Sequence, residues 1–172
     1  MPLPVEVRTA RLLLREWQDD DAGPLHEIYA QPEYLATMPP LTLEETRAQV
    51  ERFRQRWQDD GYCTWVACEL ETRRLIGRIG VCCHHDWPLS DRPVAEVGWV
   101  LHRDFWGRGL ATEGGQAGVG AWREHLLDQP RLYSFTLPRN SRSRAVMERL
   151  GFTRGGETHW HGYDTVWYAL DR

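Results

Sequence analysis

The run Trp106-Gly107-Arg108-Gly109-Leu110-Ala111-Thr112-Glu113 constrains this chain more than any other segment. An apolar stretch, Val94-Ala95-Glu96-Val97-Gly98-Trp99-Val100-Leu101, precedes it, and a helical pattern follows. A strand, a glycine turn and a helix N-terminus in that order form an anion trap. The glycines let the backbone approach a ligand, and the unpaired N–H groups of the first helical turn point at it. The helix itself is unusual. Gly114, Gly115, Gly118 and Gly120 each cost roughly 0.5–1 kcal/mol against alanine, which predicts close backbone packing on a sheet or a ligand.

The rest of the chain alternates strands and helices. Residues 11–17 read as a first strand, and Asp19-Asp20-Asp21 offers N-caps for a helix through Leu25, Ile28 and Tyr29. Thr42 and Glu45 form a capping-box pair ahead of Val50, Phe53 and Trp57 at helical spacing. Residues 62–70 and 75–83 read as a hairpin, 86–92 as a loop, and 131–137 as a strand after the glycine-rich helix. A helix starts at Asn140-Ser141-Arg142-Ser143 and stops at Gly151, and a final hairpin pairs 153–160 with 165–170. The expected order is β-α-α-β-β-β-α-β-α-β-β, a mixed α/β (α+β) layer. At 172 residues this is expected to be one domain, residues 1–172.

A formal charge of −4 argues against a nucleic-acid binder. No apolar run approaches the ~20 residues of a membrane span, so no membrane association is expected. The first residues lack the pattern of a signal peptide, so the expected location is the cytoplasm. The four cysteines, Cys63, Cys68, Cys82 and Cys83, are then expected as reduced, buried thiols. Cys82-Cys83-His84-His85 invites a metal reading. Successive strand residues point to opposite faces, so four in a row do not converge on one ion, and no metal site is expected there.

Two familiar phosphate grips do not fit the turn. A Walker loop needs Gly-x-x-x-x-Gly-Lys-Ser/Thr, and no lysine stands here. A dinucleotide fingerprint needs a third glycine where Thr112 stands, after the first strand of a parallel sheet. The spacing Gly109-x-Ala111 after a strand, followed by Asn140-x-x-Ser143 and Leu150-Gly151-Phe152, resembles the Gcn5-related N-acetyltransferases. Thr9-Ala10-Arg11-Leu12-Leu13-Leu14-Arg15 and Glu96-Val97-Gly98-Trp99 narrow the likeness to the branch of the ribosomal-protein N-terminal alanine and serine acetyltransferases. The resemblance runs from about Thr9 to Leu170 and implies a mixed, mostly antiparallel central sheet flanked by helices.

It also implies acetyl-CoA as cosubstrate, with its pyrophosphate on the N–H groups of Gly107, Arg108, Gly109, Leu110, Ala111 and Thr112. Trp106 stands where the family often has Gln or Arg, which leaves a backbone-dominated grip with Arg108 as the charge within the turn. Arg108 alternatively faces solvent. The pantetheine arm is expected beside Trp99, Val100 and Leu101, paired like an added strand. Gly98 reads as a bulge that splays this strand, or as a glycine packed under Trp122 or a neighbour. Asn140 matches the family's asparagine near the cofactor arm and also suits a helix N-cap. Ser143 matches the branch's serine facing the cofactor sulfur. Many relatives carry a tyrosine where Met147 stands, so protonation of the thiolate would fall to Ser143.

Glu96 is the lone charge in an apolar strand, which makes it the candidate general base or one half of a buried ion pair with an arginine. Glu113 suits the helix dipole without any catalytic role, and His84 and His85 are reserve bases. Among nine tryptophans, Trp87, Trp106 and Trp160 are candidates to wall a substrate cleft. An α-amino group of pKa about 8 is deprotonated far more cheaply than a lysine near 10.4. The acceptor is therefore expected to be a protein N-terminal α-amine or another primary amine, including a polyamine or an antibiotic. A non-catalytic acyl-CoA-binding module is the alternative. The family likeness makes a homodimer plausible.

Overall fold

Leu12, Leu13 and Leu14 are all buried because helices cover both faces of the strand that carries them. Leu12 and Leu14 join one core cluster and Leu13 the other. The computed structural model describes residues 2–172. Its elements begin with β1 (Glu6–Arg8), β2 (Leu12–Arg15), α1 (Ala22–Tyr29), α2 (Pro32–Leu35) and α3 (Leu43–Asp59). Then come β3 (Trp65–Glu69), β4 (Leu75–His84), β5 (Val94–Leu101) and α4 (Leu110–His125). β6 (Arg131–Thr136), α5 (Ser141–Arg149), β7 (Thr153–Trp160) and β8 (Tyr163–Asp171) complete the chain.

The strands form one sheet in the order β1-β2-β3-β4-β5-β6-β8-β7. Every pairing is antiparallel except β5 with β6. That parallel ladder consists of Ala95 opposite Leu132 and Glu96 opposite Tyr133. Beyond it β5 continues only against β4, and β6 only against β8. A gap therefore opens in the middle of the sheet, with Glu96 at its closed end.

α4 lies on β4 and β5, and its glycines explain how close it comes. A Cβ at Gly114 would stand 2.5 Å from Ile79 Cδ1, and one at Gly118 would stand 2.9 Å from Val97 Cγ2. At Gly115 the obstacle is Leu150 Cδ1 at 2.7 Å. The propensity penalty of these three glycines is thus the condition for seating the helix. A Cβ at Gly120 would meet nothing within 4 Å among the described residues, and nothing in the structure explains this glycine.

Some elements differ from expectation. A short β1 precedes the first predicted strand, and the single turn α2 follows α1. Asp21 does not cap α1 with its side chain. Its carboxylate turns back instead, accepting from the Gln18 N–H at 2.7 Å and from the Arg15 guanidinium at 2.7 and 2.8 Å. The terminal hairpin turns at His161 and Gly162, so β8 starts at Tyr163, two residues early. Gly98 forms no bulge and packs nowhere near Trp122: it pairs in register with Gly80. The capping box is present, with Thr42 Oγ1 accepting from the Glu45 N–H at 3.2 Å and Glu45 Oε2 from the Thr42 N–H at 2.7 Å. Among the described residues, no helix is long and apolar enough to cross a membrane.

Candidate active site

Two left-handed glycines shape the turn before α4. Gly107 has φ +71° and Gly109 φ +77°, a region that L side chains pay roughly 1–2 kcal/mol to enter. The α4 ladder begins with Glu113 N–H donating to Gly109 O at 3.0 Å. Helix geometry therefore leaves the N–H groups of Leu110, Ala111 and Thr112 without intrahelical partners. The Leu110 side chain is buried in the core, which fixes the turn from beneath. Glu113 anchors it from the side, accepting from Thr9 Oγ1 at 2.6 Å, the Arg11 N–H at 2.8 Å and Arg11 Nε at 2.7 Å.

The charges around the turn differ from those read in the sequence. Arg108 bends back over the Phe105 ring at 5.0 Å and pairs with Glu69 at 3.4 Å. Two other arginines approach instead. Arg11 donates to the Arg108 carbonyl at 2.7 Å, and Arg142, from the first turn of α5, lies 4.9 Å above the Trp106 ring. Trp106 thus holds a cation by its π face, while its indole N–H donates to Leu101 O at 2.8 Å. It makes no ring contact with Trp87, Phe135 or Trp160 among the described residues.

Register decides which β5 amides line that gap. His102 N–H donates to Ile76 O on β4, and Ser134 Oγ donates from β6 to Val97 O at 2.8 Å. By the period of two, even-numbered residues direct their N–H and C=O groups to β4 and odd-numbered ones to the gap. Val100 therefore turns its amides away from the gap, and the Leu101 carbonyl is taken by Trp106. Trp99 is left presenting both N–H and C=O.

On the opposite sheet face from α4, Glu96, Gly98, Cys82 and His84 come together. The Glu96 carboxylate occupies the space above Gly98, where a Cβ would meet Oε1 at 2.7 Å. Its hydrogen-bond partner is a histidine rather than an arginine: His84 Nε2 lies 3.4 Å from Oε2, with 18% and 15% of the two side chains exposed. Burial opposes the charged imidazole, but the hydrogen bond and charge of Glu96 prevail and raise the His84 pKa above its ordinary value. Arg78 adds a second cation, donating to the Tyr29 hydroxyl at 2.9 Å over the Phe53 ring. Burial opposes its charge too, yet Tyr29, Tyr34 and Glu96 raise its pKa.

Trp87, Phe135 and Trp160 wall this pocket beside His84. Trp87 stacks on Phe135 at 4.1 Å, and the Trp160 ring lies 5.2 Å from Trp87 and 5.0 Å from His84. The indole N–H groups of Trp87 and Trp160 are buried without a partner among the described residues. A recess of about 320 Å³ opens nearby, between the β6–α5 connection and the β7–β8 hairpin, lined by Leu137, Arg139, His159 and Tyr163. Cys82 Sγ is 2.9 Å from Cys63 Sγ and accepts from Arg56 at 3.1 Å. The four cysteines are free and buried.

Asn140 caps α5, its Oδ1 accepting from the Ser143 N–H at 3.2 Å. The Ser143 hydroxyl makes no hydrogen bond among the described residues. Met147 is 1% exposed and packs in the main core cluster. His85 turns away from Glu96 and contacts Asp60 at 2.9 Å, which removes it as a reserve base. Arg11, Arg78, Phe135 and Arg142 carried no local sequence signal, because each joins the site through a partner distant in the chain.

A family model described as an acetyltransferase (GNAT) domain matches residues 11–153. The chain is 24% identical over 173 residues to YoaA of Bacillus subtilis, an uncharacterized N-acetyltransferase, with 95% of each chain covered. An acetyltransferase from Agrobacterium tumefaciens superposes with a TM-score of 0.81 at 29% identity, over 100% of this chain and 96% of its own. RimL, a ribosomal alpha-N-protein acetyltransferase in complex with coenzyme A, superposes with a TM-score of 0.73 at 22% identity, over 98% and 97%.

Proposed function

The chain belongs to the GNAT acetyltransferase family, and we propose that it transfers an acetyl group from acetyl-CoA to a primary amine, with a protein N-terminal α-amine as the favoured acceptor. The observation that carries this reading is the β5–β6 gap, closed by Glu96 at one end and reached by the free amides of the α4 turn at the other. The turn suits a pyrophosphate: two left-handed glycines, unclaimed helix N–H groups and Arg142 nearby. The Trp99 C=O suits an amide N–H of a pantetheine arm, and the family resemblance assigns Asn140 and Ser143 to the same cofactor.

Acetyl-CoA supplies the activated acetyl carbonyl. Glu96 accepts a proton from the amine nitrogen as that nitrogen bonds to the carbonyl carbon, and His84 holds the carboxylate in position. The Trp99 N–H donates to the carbonyl oxygen as it gains charge. The Ser143 hydroxyl donates a hydrogen bond to the thiolate that leaves when the C–S bond breaks. An α-amine of pKa about 8 asks roughly 1 kcal/mol of such a base near neutral pH, against about 4–5 kcal/mol for a lysine. A single carboxylate suits the smaller task.

The test is thiol release from acetyl-CoA with a panel of N-terminal peptides, polyamines and aminoglycosides. Turnover fastest with peptides carrying a free N-terminus is expected. Turnover confined to polyamines or aminoglycosides would reassign the acceptor, and coenzyme A binding with no turnover on any amine would leave only a binding module.

A further inference from the structure

Cys82 and His84 face Glu96, whereas Cys83 and His85 turn to the other side of β4 by the period of two. Asp60, the C-cap that follows α3, meets them there. One Asp60 oxygen, Cys83 Sγ and one His85 ring nitrogen lie within 4.8 Å of one another, a convergence no other such trio matches among the described residues. His85 Nε2 is already 2.9 Å from Asp60 Oδ1. Cys83 is 4% exposed and forms the fixed corner, while the His85 side chain is 59% exposed and free to swing. Tyr62, 5% exposed, packs in the same core cluster as Cys83.

We propose that Asp60, Cys83 and His85 bind one zinc ion, with water as the fourth ligand. Thiolate, imidazole and carboxylate together suit a borderline-soft divalent cation and disfavour magnesium or calcium, which take oxygen ligands alone. Zinc bonds of about 2.0–2.3 Å in a tetrahedron set ligand atoms about 3.3–3.8 Å apart. Contraction from 4.8 Å needs only side-chain rotation of His85 and Asp60 about the anchored thiol. The ion would staple the end of α3 to the end of β4, on the face away from Glu96. The alternation that keeps the run 82–85 from binding one ion as a set is what brings residues 83 and 85 together.

The full-length chain, stripped by a chelator under reducing conditions, is titrated with Co²⁺ as a spectroscopic stand-in and then with Zn²⁺. One equivalent of Co²⁺ should produce a thiolate-to-cobalt charge-transfer band that Zn²⁺ displaces. Cys83→Ser should abolish the band, whereas Cys82→Ser and Cys68→Ser, whose thiols lie elsewhere, should keep it. Asp60→Asn and His85→Ala should weaken binding at least about tenfold, no less than the loss of an outer-shell partner. Zn²⁺ should raise the melting temperature of the wild type and leave that of Cys83→Ser unchanged. A wild type without the band, a band surviving Cys83→Ser, or its loss in both other cysteine variants overturns the site.

Discussion

The Glu96 carboxylate lies over Gly98, in the space a side chain at residue 98 would fill: a Cβ there would stand 2.7 Å from Oε1 and 3.3 Å from Oε2. Gly98 therefore serves the proposed base rather than the strand. Glu96→Gln should lower acetyl transfer by about a hundredfold or more, as expected for a lost general base. Gly98→Ala should push the carboxylate aside and cost about ten- to a hundredfold in kcat, with coenzyme A affinity unchanged. In the Glu96→Gln background, Gly98→Ala should add little. Equal losses in both backgrounds would show that Gly98 acts independently of Glu96.

The glycines of α4 make opposite predictions. Gly114→Ala and Gly118→Ala gain helix propensity but drive a methyl into Ile79 and Val97, so each should destabilise the fold by about 1–3 kcal/mol. Gly120→Ala meets open space and should stabilise by about 0.5–1 kcal/mol. Urea unfolding of the three variants measures the signs. A stabilising Gly114→Ala would show that the Ile79 side chain yields to the added methyl.

Glu113 gives a pH dependence of stability. Burial raises its pKa, but the hydrogen bonds from Thr9 and Arg11 outweigh that and hold it below the ordinary carboxylate value. A group whose folded pKa is depressed adds stability above its unfolded pKa, about 4.3, and loses it as pH falls through the folded value. Glu113→Gln should therefore be less stable than the wild type at neutral pH, and the difference should shrink below about pH 4. Denaturant midpoints measured at several pH values check this; a difference constant with pH would rule out the carboxylate as its source.

Arg142 over the Trp106 ring restores a cation to a turn whose Arg108 is directed elsewhere. Trp106→Leu should release Arg142 and weaken coenzyme A binding about two- to fivefold, the equivalent of the 0.5–1 kcal/mol of an exposed cation–π contact. Arg142→Ala should weaken it at least as much and flatten its salt dependence. Calorimetric titration at two ionic strengths reads both effects. Unchanged affinity in Arg142→Ala would exclude the residue from the phosphate site.

By itself the sequence determined most of the elements and the turn, though not the short β1 and α2. Periodicity, caps and glycine punctuation are local properties of the chain, so the Thr42–Glu45 box, the α4 turn with its two left-handed glycines and the Gly151 stop were all legible from residue types and spacing. What only the tertiary structure decided is where side chains from distant elements meet. His84 rather than an arginine partners Glu96; Arg142 reaches Trp106; Trp99 rather than Val100 turns its amides to the gap; and Asp60 joins Cys83 and His85. Each follows from strand register and from the packing of a helix end against a strand. A shift of one residue would exchange the faces of β4 and β5, and composition and local spacing alone do not fix that register.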